Sequence, residues 1–400
     1  MISVGIDVSK GKSTVCIMQP CGKVLRRPFD VKHDKTELED LAETILGYDD
    51  ETRVIMEATG IYHLPILTFL QSKGIFTTVI NPYEMKQYRC HGLRKVKNDK
   101  RDSMMIANFG IDYWYRLTDF KASDEVYSEL KLLVRQYNHY MVLHVNATQE
   151  RTHMLDYTMP GIKNLMNSYN EANGKDKLGD FVNEFWHYDN ITCMSEDEFI
   201  AAYNDWAIKK EYRQSQEKAK TIYTLALNSI PTLSSKNNSV KMLVQEAVRV
   251  LKEIDHTLSI IITQMRELAK TLPEYSVVRE MGGIGDVLAP KIIAEIGDVR
   301  RFHNGKALVA YAGVDAPPYQ SGQFTGTNRK ISKRGSASLR KIAYEIMRCL
   351  KTTRQENDPV YCFIVKKEKE GKSKKSAKVA GINKFLRIYY ARVNEIYQGK

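Results

Sequence analysis

The first 80 residues constrain the fold most, because strand-like and helix-like stretches alternate there in a fixed order. β-Branched and apolar residues form short runs separated by polar or glycine-containing turns, a pattern typical of strands joined by tight turns. Two amphipathic stretches interrupt the later strands, and Thr36 with Glu39 makes a capping-box pattern at the start of the first. The sequence therefore predicts three strands, a helix, a strand, a helix and a strand, over residues 2–8, 13–18, 23–31, 36–46, 53–57, 63–73 and 75–80.

Acidic residues stand at particular places in this order, which is that of an α/β sheet of the ribonuclease-H kind. Asp7 lies on the first strand and Glu57 ends the fourth. If these strands are neighbours, both side chains reach one end of the sheet, the usual place for ligand sites in α/β folds. Asp99 and Asp102 follow on one face of a predicted helix. Four carboxylates from three elements could hold two divalent ions for in-line phosphoryl displacement.

Simpler interpretations exist for each acid alone. The Asp99–Asp102 pair is typical of a solvated, charge-mixed helix start. Asp7 could cap a turn, and Glu57 could be a surface charge at a strand end. Their joint order favours a metal site, for which we expect Mg²⁺, with Mn²⁺ as the alternative, since both take oxygen ligands.

The charge balance points to a polyanionic partner. The 400 residues include 60 Lys and Arg against 48 Asp and Glu, a net charge of +12, which favours nucleic acid over a membrane. No apolar run approaches the ~18 residues of a membrane span, and the N-terminus lacks a secretion signal. The six scattered cysteines form no CxxC pair. We therefore expect a cytoplasmic protein with reduced thiols.

Two long helices are predicted in the middle of the chain. The second carries four heptads, and the two helices could pair within one chain, between chains, or both, so we expect a coiled coil and a homodimer or tetramer. Between them, about 162–230, a helical insert should have its own core around Trp186 and Trp206. The first seam is Val126, Leu130, Leu133, Tyr137, Tyr140, His144 and Ala147; the second has Val244, Leu251, Leu258 and Met265 at a, and Ala247, Ile254, Ile261 and Leu268 at d.

The C-terminal part contains candidate nucleic-acid contacts. Met281-Gly282-Gly283-Ile284-Gly285 before a helix is typical of a helix-hairpin-helix, whose turn exposes backbone N–H groups to a phosphate. Residues 366–378 form a basic, phosphate-facing tail segment, and the final helix (379–397) should dock on the rest. The predicted phosphate-binding residues are Gly283, Gly285, Arg329, Lys330, Lys333, Arg334 and Arg340, together with Arg94, Lys95, Lys97, Lys100 and Arg101 around the acid pair.

These motifs, in this order, resemble the DEDD transposases, the Piv-invertase-like recombinases of insertion sequences in which a bridge RNA guides recombination. The resemblance covers roughly residues 1–115 and 273–350. It is carried by Gly5-Ile6-Asp7-Val8-Ser9, Met56-Glu57-Ala58-Thr59-Gly60, Asn98-Asp99-Lys100-Arg101-Asp102, and the Ser321-Gly322 loop before Ile331-Ser332-Lys333-Arg334-Gly335.

The resemblance implies a RuvC-like domain (1–118), a coiled-coil connector with the insert (119–272) and a C-terminal transposase domain with a catalytic serine and a basic tail (273–400). Asp7, Glu57, Asp99 and Asp102 become the catalytic, metal-binding acids, and Ser321 the nucleophile that forms a phosphoserine link to DNA. Implied partners are double-stranded donor and target DNA and a non-coding bridge RNA, in a nucleoid-associated prokaryotic protein. The insert and Ser336 depart from the family pattern.

Several alternatives stay open at this point. Ser332, Ser336 and Ser338 compete with Ser321, since each lies among cations. A RuvC-type junction endonuclease would need the four acids but no serine, and a nucleic-acid-binding scaffold would need neither. An actin-like sugar kinase would explain Gly5-Ile6-Asp7 but not the basic C-terminal tract.

Overall fold

The computed structural model describes residues 1–89, 98–120, 124–166, 169–170, 175–317, 320–321, 324–325 and 330–399, with the backbone alone for 169–170, 320–321 and 324–325. The chain divides into two compact units, residues 1–122 and 123–400. No helix in these ranges is long and apolar enough to cross a membrane. The predicted three-domain division stays a prediction.

The first unit is built on a five-stranded mixed sheet of order β3-β2-β1-β4-β5. β1, β2 and β3 are antiparallel, while β4 and β5 run parallel to β1, as the sequence predicts. The strands are β1 (Ile2–Val8), β2 (Lys12–Gln19), β3 (Lys23–Lys32), β4 (Thr52–Glu57) and β5 (Thr77–Ile80), and the helices are α1 (Lys35–Leu46), α2 (Leu64–Ser72), α3 (Pro82–Arg89) and α4 (Asp99–Asp112).

One local prediction in this unit was wrong. Asp34, not Thr36, caps α1, because its side chain accepts from the Glu37 backbone N–H at 2.9 Å. The fifth strand ends at Ile80 as predicted, and the structure adds α3, which begins with Pro82 at its first position. A proline there needs no hydrogen-bond donor and has a suitable φ, so it starts a helix as readily as it ends a strand.

The second unit is almost entirely helical. It contains α5 (Glu125–Thr158), α6 (Ile162–Met166), β6 (Tyr169–Asn170), β7 (Lys175–Asp176), α7 (Lys177–Phe185), α8 (Asp189–Thr192), α9 (Glu196–Lys209), α10 (Gln216–Asn228), α11 (Asn238–Lys270), α12 (Tyr275–Arg279), α13 (Leu288–Ile296), α14 (Gly305–Tyr311), β8 (Gln320–Ser321), β9 (Phe324–Thr325), α15 (Ala337–Thr353), α16 (Pro359–Lys369) and α17 (Lys374–Tyr397).

The two long helices, α5 and α11, pack antiparallel within the chain. The start of α5 shares a hydrophobic core with the end of α11, and Leu155 near the end of α5 packs with Val244 near the start of α11. Midway along the two helices, His144 Nε2 lies 3.0 Å from Asp255 Oδ1. All four predicted a positions of α11 are buried. Pairing within the chain thus uses this seam, and pairing between chains stays a prediction.

The insert between these helices has the aromatic core that its sequence predicts. Phe181, Phe199, Tyr203 and Trp206 are buried in one cluster, with ring centroids 5.4 Å apart for Phe181 and Trp206. The same cluster includes residues of α5 and α11, so the insert is fixed to one end of the long helix pair.

The C-terminal helices form a separate core with the other end of that pair. Gly283, in the turn between α12 and α13, has φ +79°, and a Cβ there would lie 2.7 Å from the Ile346 carbonyl oxygen of α15. Close packing alone therefore accounts for this glycine. The final helix docks as expected, with Phe385 and Tyr389 buried. The predicted basic tail segment is folded into the end of α16, a turn and the start of α17.

Candidate active site

Two of the predicted acids meet at one end of the sheet. β1 and β4 are parallel neighbours, and their register pairs Ile6 with Met56. Asp7 and Glu57 are the next residues on the two strands, and both are half-buried. Parallel strands ending together place these carboxylates side by side, as the element order predicts.

Helix α4 brings the other two acids to the same place. Asn98 caps it by accepting from the Arg101 N–H at 2.8 Å, which fixes Asp99 and Asp102 in the first turn. Asp102 is buried at 6% exposure, whereas Asp99 is exposed.

Glycine on β1 makes this approach of α4 possible. A Cβ on Gly5 would lie 2.3 Å from the Ala107 backbone nitrogen and the Ser103 carbonyl oxygen, inside any permitted contact. The buried Ser3 hydroxyl donates to the Ala107 carbonyl at 2.7 Å and fixes the helix along the strand. A glycine inside a strand is a known mark of such close approach.

Three carboxylates act on Asp7 in addition to its burial. Burial, and then the Asp102 and Asp99 carboxylates, raise the pKa of Asp7 to about 6, with Glu57 adding a smaller contribution in the same direction. Arg89 opposes this rise. Each of these carboxylates disfavours the ionised form of Asp7, and a cation among them would relieve that repulsion.

Arg89, the last residue of α3, supplies the positive charge in this cluster. Its Nη2 donates to Glu57 Oε2 at 2.9 Å, and its Nε lies 3.9 Å from Asp102 Oδ1. The Nε atom is buried without a hydrogen-bond partner among the described residues. The guanidinium therefore bridges the strand acid and the helix acid.

The residues present fit a divalent cation once Arg89 has moved. Within the described residues, no group of three or more His, Cys, Asp or Glu side chains is arranged to hold a metal ion. The donor set is nevertheless four carboxylates, the hard ligands that Mg²⁺ and Mn²⁺ prefer. Glu57 and Asp102 would have to exchange the guanidinium for the ion.

The predicted phosphate contacts near the acids are described only in part. Lys100 is exposed in the first turn of α4 and Arg101 is half-buried beside it. Arg94, Lys95 and Lys97 lie outside the described residues.

The predicted serine loop belongs to the second unit. The Ser321 backbone pairs with Phe324 in the β8–β9 hairpin. Two competing serines have structural partners. Ser332 donates to Asp315 Oδ1, and the Ser336 hydroxyl caps α15 by accepting from the Leu339 N–H at 3.1 Å.

The basic residues after this loop differ in what they contact. Arg340 donates from Nη1 to the carbonyls of Ala312 and Gly335, both at 2.9 Å, so it holds the loop before α15. Lys330, Lys333 and Arg334 are exposed, and Arg329 lies outside the described residues. Gly285 has open space where a Cβ would stand.

Sequence reasoning missed Arg89 and the role of Gly5. Arg89 stands just before the basic run at 94–101 and could have been counted with it. Gly5 was quoted only as part of a motif, although a lone glycine in a strand pattern is itself a signal.

Family models match at both ends of the chain. A transposase model of the IS110 DEDD type matches residues 4–160, and a model described as the transposase IS116/IS110/IS902 family matches residues 275–361. The chain belongs to this transposase family. Its members cut and rejoin DNA, and the region matched by the first model contains all four acids.

Individual relatives agree with this assignment. The chain is 22% identical over 355 residues to the transposase for insertion sequence element IS1111A of Coxiella burnetii, covering 87% of this chain and 77% of that protein. An IS116 protein of Streptomyces clavuligerus is 22% identical over 375 residues, which cover 92% of this chain and 89% of that protein. The pilin gene-inverting protein of Moraxella bovis is 27% identical over 149 residues, which is 36% of this chain and only 44% of that protein.

Among solved structures, RuvC of Thermus thermophilus in complex with a Holliday junction substrate aligns over 30% of this chain and all of that one, at 13% identity. The TM-score of this alignment is 0.23.

Proposed function

We propose that this transposase cuts and rejoins DNA strands of an insertion sequence through a phosphoserine intermediate, with its four acids as a metal site on a ribonuclease-H-like domain. The observation that carries the proposal is the convergence of Asp7, Glu57, Asp99 and Asp102 at one sheet end. Burial first, and then the other three carboxylates, raise the pKa of Asp7 to about 6. Carboxylates are gathered against their mutual repulsion where a cation is to be bound.

Each element has a defined task in this proposal. Glu57 releases Arg89, and the acids on β1, β4 and α4 hold two divalent ions, Mg²⁺ or Mn²⁺. Bound there, such ions supply charge neutralisation at a phosphodiester and polarise it for displacement. Lys100 and Arg101, at the start of α4, would contact the adjacent phosphates.

Ser321 supplies the nucleophile. Its Oγ forms a bond to the DNA phosphorus as the bond from phosphorus to the leaving sugar oxygen breaks, and the hydroxyl proton passes to that oxygen. The hydroxyl of a second strand then attacks the same phosphorus, the bond from phosphorus to Ser321 Oγ breaks, and the proton returns to the serine, so the diester is restored and no water is consumed. Ser332 and Ser336 are weaker candidates, because Asp315 and the start of α15 engage their hydroxyls.

A bridge RNA as guide and a dimer or tetramer as the active form complete the proposal. Both follow from the family resemblance, and the excess of positive charge supports a second polyanion beside DNA. The test is to sequence the RNA that copurifies with the protein. One defined non-coding RNA encoded beside the gene supports guidance, and bulk cellular RNA alone counts against it.

The serine is tested by trapping the covalent intermediate. Wild-type protein with donor DNA and Mn²⁺ should give a protein–DNA adduct that survives denaturation, and Ser321→Ala should give none. Ser338→Ala, which removes an exposed serine nearby, is the matched control and should retain the adduct.

The same assay separates the rival functions. A junction endonuclease would leave Ser321→Ala with full strand cleavage. A scaffold with structural acids would bind DNA without cleaving it, and Asp102→Asn would change nothing. The proposal requires that cleavage be lost in both variants.

A further inference from the structure

The turn between α16 and α17 carries a cluster of lysines outside both family matches, since the second match ends at residue 361. Residues 366–378 contain seven lysines and two acids. Five of these lysines are exposed and have no ion-pair partner among the described residues. We define this group as the lysine turn: Lys366, Lys369, Lys372, Lys374 and Lys375.

Both acids of the segment are neutralised locally. Glu368 pairs with Lys351 of α15 at 2.8 Å, and Glu370 pairs with Lys367 at 2.6 Å. Glu370 also attracts Lys366 and Lys372 of the lysine turn at longer range, so one carboxylate stands against five lysines there. The surface presents five positive charges from two helix ends and the turn between them.

The turn is held in a defined conformation. Gly371, at φ +87°, donates its N–H to the Glu368 carbonyl at 3.0 Å, and the Lys372 N–H donates to the Lys367 carbonyl at 3.1 Å, which closes α16. Ser373 caps α17 by accepting from the Ser376 N–H at 3.3 Å. The lysines thus stand on a preformed support, so a partner would order only their side chains.

Two positions of the lysine turn oppose helix stability. Lys374 and Lys375 occupy the first turn of α17, where the helix dipole favours acids and disfavours cations. Lys366 and Lys369 lie in the last turn of α16, where the dipole favours cations. A polyanion would compensate both the unfavourable positions of Lys374 and Lys375 and the repulsion between neighbouring lysines.

The chemistry of the surface selects the kind of polyanion. The described residues of α16 and α17 include no exposed large apolar side chain, so neither a membrane nor an apolar protein surface is matched. Segment 366–378 also has no Arg, Asn or Gln, whose planar groups make paired hydrogen bonds to base edges. Lysine ammonium groups act as point charges on phosphates.

From this we propose that the lysine turn is a second nucleic-acid contact of this chain, binding a phosphodiester backbone without regard to sequence. The choice of partner rests on the proposed function, but the contact does not depend on Ser321 or on the metal site. The lysine turn would secure DNA or RNA beside the reacting strands, and its contribution would be strongly salt-dependent.

The test measures the salt dependence of binding by full-length protein carrying Asp7→Asn, which separates binding from catalysis. The test variant is Lys369→Gln, Lys372→Gln and Lys375→Gln. The matched control is Lys209→Gln, Lys236→Gln and Lys241→Gln, three exposed lysines of the insert and α11 region whose loss changes the net charge equally. The probes are a short DNA duplex and a single-stranded RNA, both of unrelated sequence.

A plot of log K against log salt has a negative slope, and we expect its magnitude to decrease by roughly 2–3 in the test variant. Each phosphate contact contributes about 0.9 to that magnitude for duplex DNA and about 0.7 for single strands. Lys→Arg at the same three positions should retain the slope. A fall with duplex only assigns the surface to DNA, a fall with RNA only assigns it to RNA, and either supports the proposal. An unchanged slope, or equal falls in test and control, would overturn it. Absence of binding by the parent protein would instead refute the proposed function.

Discussion

At the scale of single residues, Asp7 combines a raised pKa with a place at the candidate site. Its pKa is raised from an ordinary 3.8 to about 6, mainly by burial and by Asp102. A raised carboxyl pKa means that the folded state binds the proton more tightly than the unfolded state. Stability contributed by protonated Asp7 is therefore present at low pH and is lost as pH rises through about 6.

Asp7→Asn should consequently stabilise the metal-free protein above about pH 6.5, and should have little effect near pH 4. The full change in pKa corresponds to ~3 kcal/mol, but solvent screens a half-buried carboxyl, so we expect about 1–2 kcal/mol. Urea unfolding in EDTA across this pH range measures the difference. Asp49→Asn, an exposed acid of the same unit, is the control and should show no such trend.

With saturating Mn²⁺ the wild-type protein should instead be more stable than Asp7→Asn, because the ion binds only the wild-type ligand set and stabilises it. If Asp7→Asn raises the free energy of unfolding equally at every pH, packing rather than carboxylate repulsion determines the stability at this position.

Arg89 leads to a second residue-scale prediction. Since its guanidinium bonds Glu57 and approaches Asp102, a metal ion must displace it. Arg89→Met should therefore tighten Mn²⁺ binding about 5-fold, the equivalent of about 1 kcal/mol for a partly exposed ion pair. Calorimetric titration measures it, with Lys86→Met, an exposed cation on the same helix, as control. Weaker binding would mean that Arg89 assembles the ligands instead of competing for them.

The four acids could be predicted from the sequence, but the contact of Arg89 with two of them could not. Asp7 and Glu57 follow from strand order, and Asp102 from its spacing to Asp99 on a capped helix. The contact of Arg89 depends on where α3 turns after β5, and a long side chain at a helix end has many reachable partners. Only the folded arrangement decides among them.

At the scale of elements, the site depends on how closely α4 lies against β1. Gly5→Ala would push the backbone of Ala107 and Ser103 away from β1, since the added Cβ would stand 2.3 Å from backbone atoms. A shift of about a tenth of an ångström would not relieve that clash. We expect a loss of ~1–3 kcal/mol or more, as for overpacked cores, and displacement of Asp99 and Asp102.

A companion substitution at the same contact separates docking from simple stability. Ser3→Ala removes the hydrogen bond to Ala107 without a clash and should cost about 1 kcal/mol. Urea unfolding with and without Mn²⁺ compares the two. Stabilisation by Mn²⁺ should vanish in Gly5→Ala and persist in Ser3→Ala. If Gly5→Ala retains it, the close approach of α4 does not position the acids.

Periodic elements were predictable because periodicity encodes burial directly. The α11 a positions are buried as predicted, since a 3.5-residue repeat leaves one face apolar whatever the partner. The partner itself was open from sequence, and the structure shows α5 of the same chain. Gly283 shows what a sequence motif cannot decide, because a glycine-rich turn is equally consistent with phosphate contact and with close packing. In the structure, α15 occupies the space that a Cβ of residue 283 would need.

At the scale of the whole molecule, the two units have separate hydrophobic cores. Three clusters lie within residues 1–122 and two within 123–400, and none of those formed by the described residues draws on both. All four acids lie in the first unit and Ser321 in the second. The proposed metal ligands and the proposed nucleophile thus lie in different units.

Thermal unfolding of the full chain should therefore show two transitions, of which divalent metal shifts only one. An ion at 100 times its dissociation constant stabilises the unit that binds it by about 2.7 kcal/mol. For a unit of about 120 residues this raises the midpoint by roughly 10 °C. Scanning calorimetry with EDTA and with Mn²⁺ measures both midpoints. Asp102→Asn should abolish the shift, whereas Ser321→Ala should leave it intact, because the serine is not a ligand. A shift of both transitions together, or a single transition that moves as one, would show that the units unfold as one cooperative structure despite their separate cores.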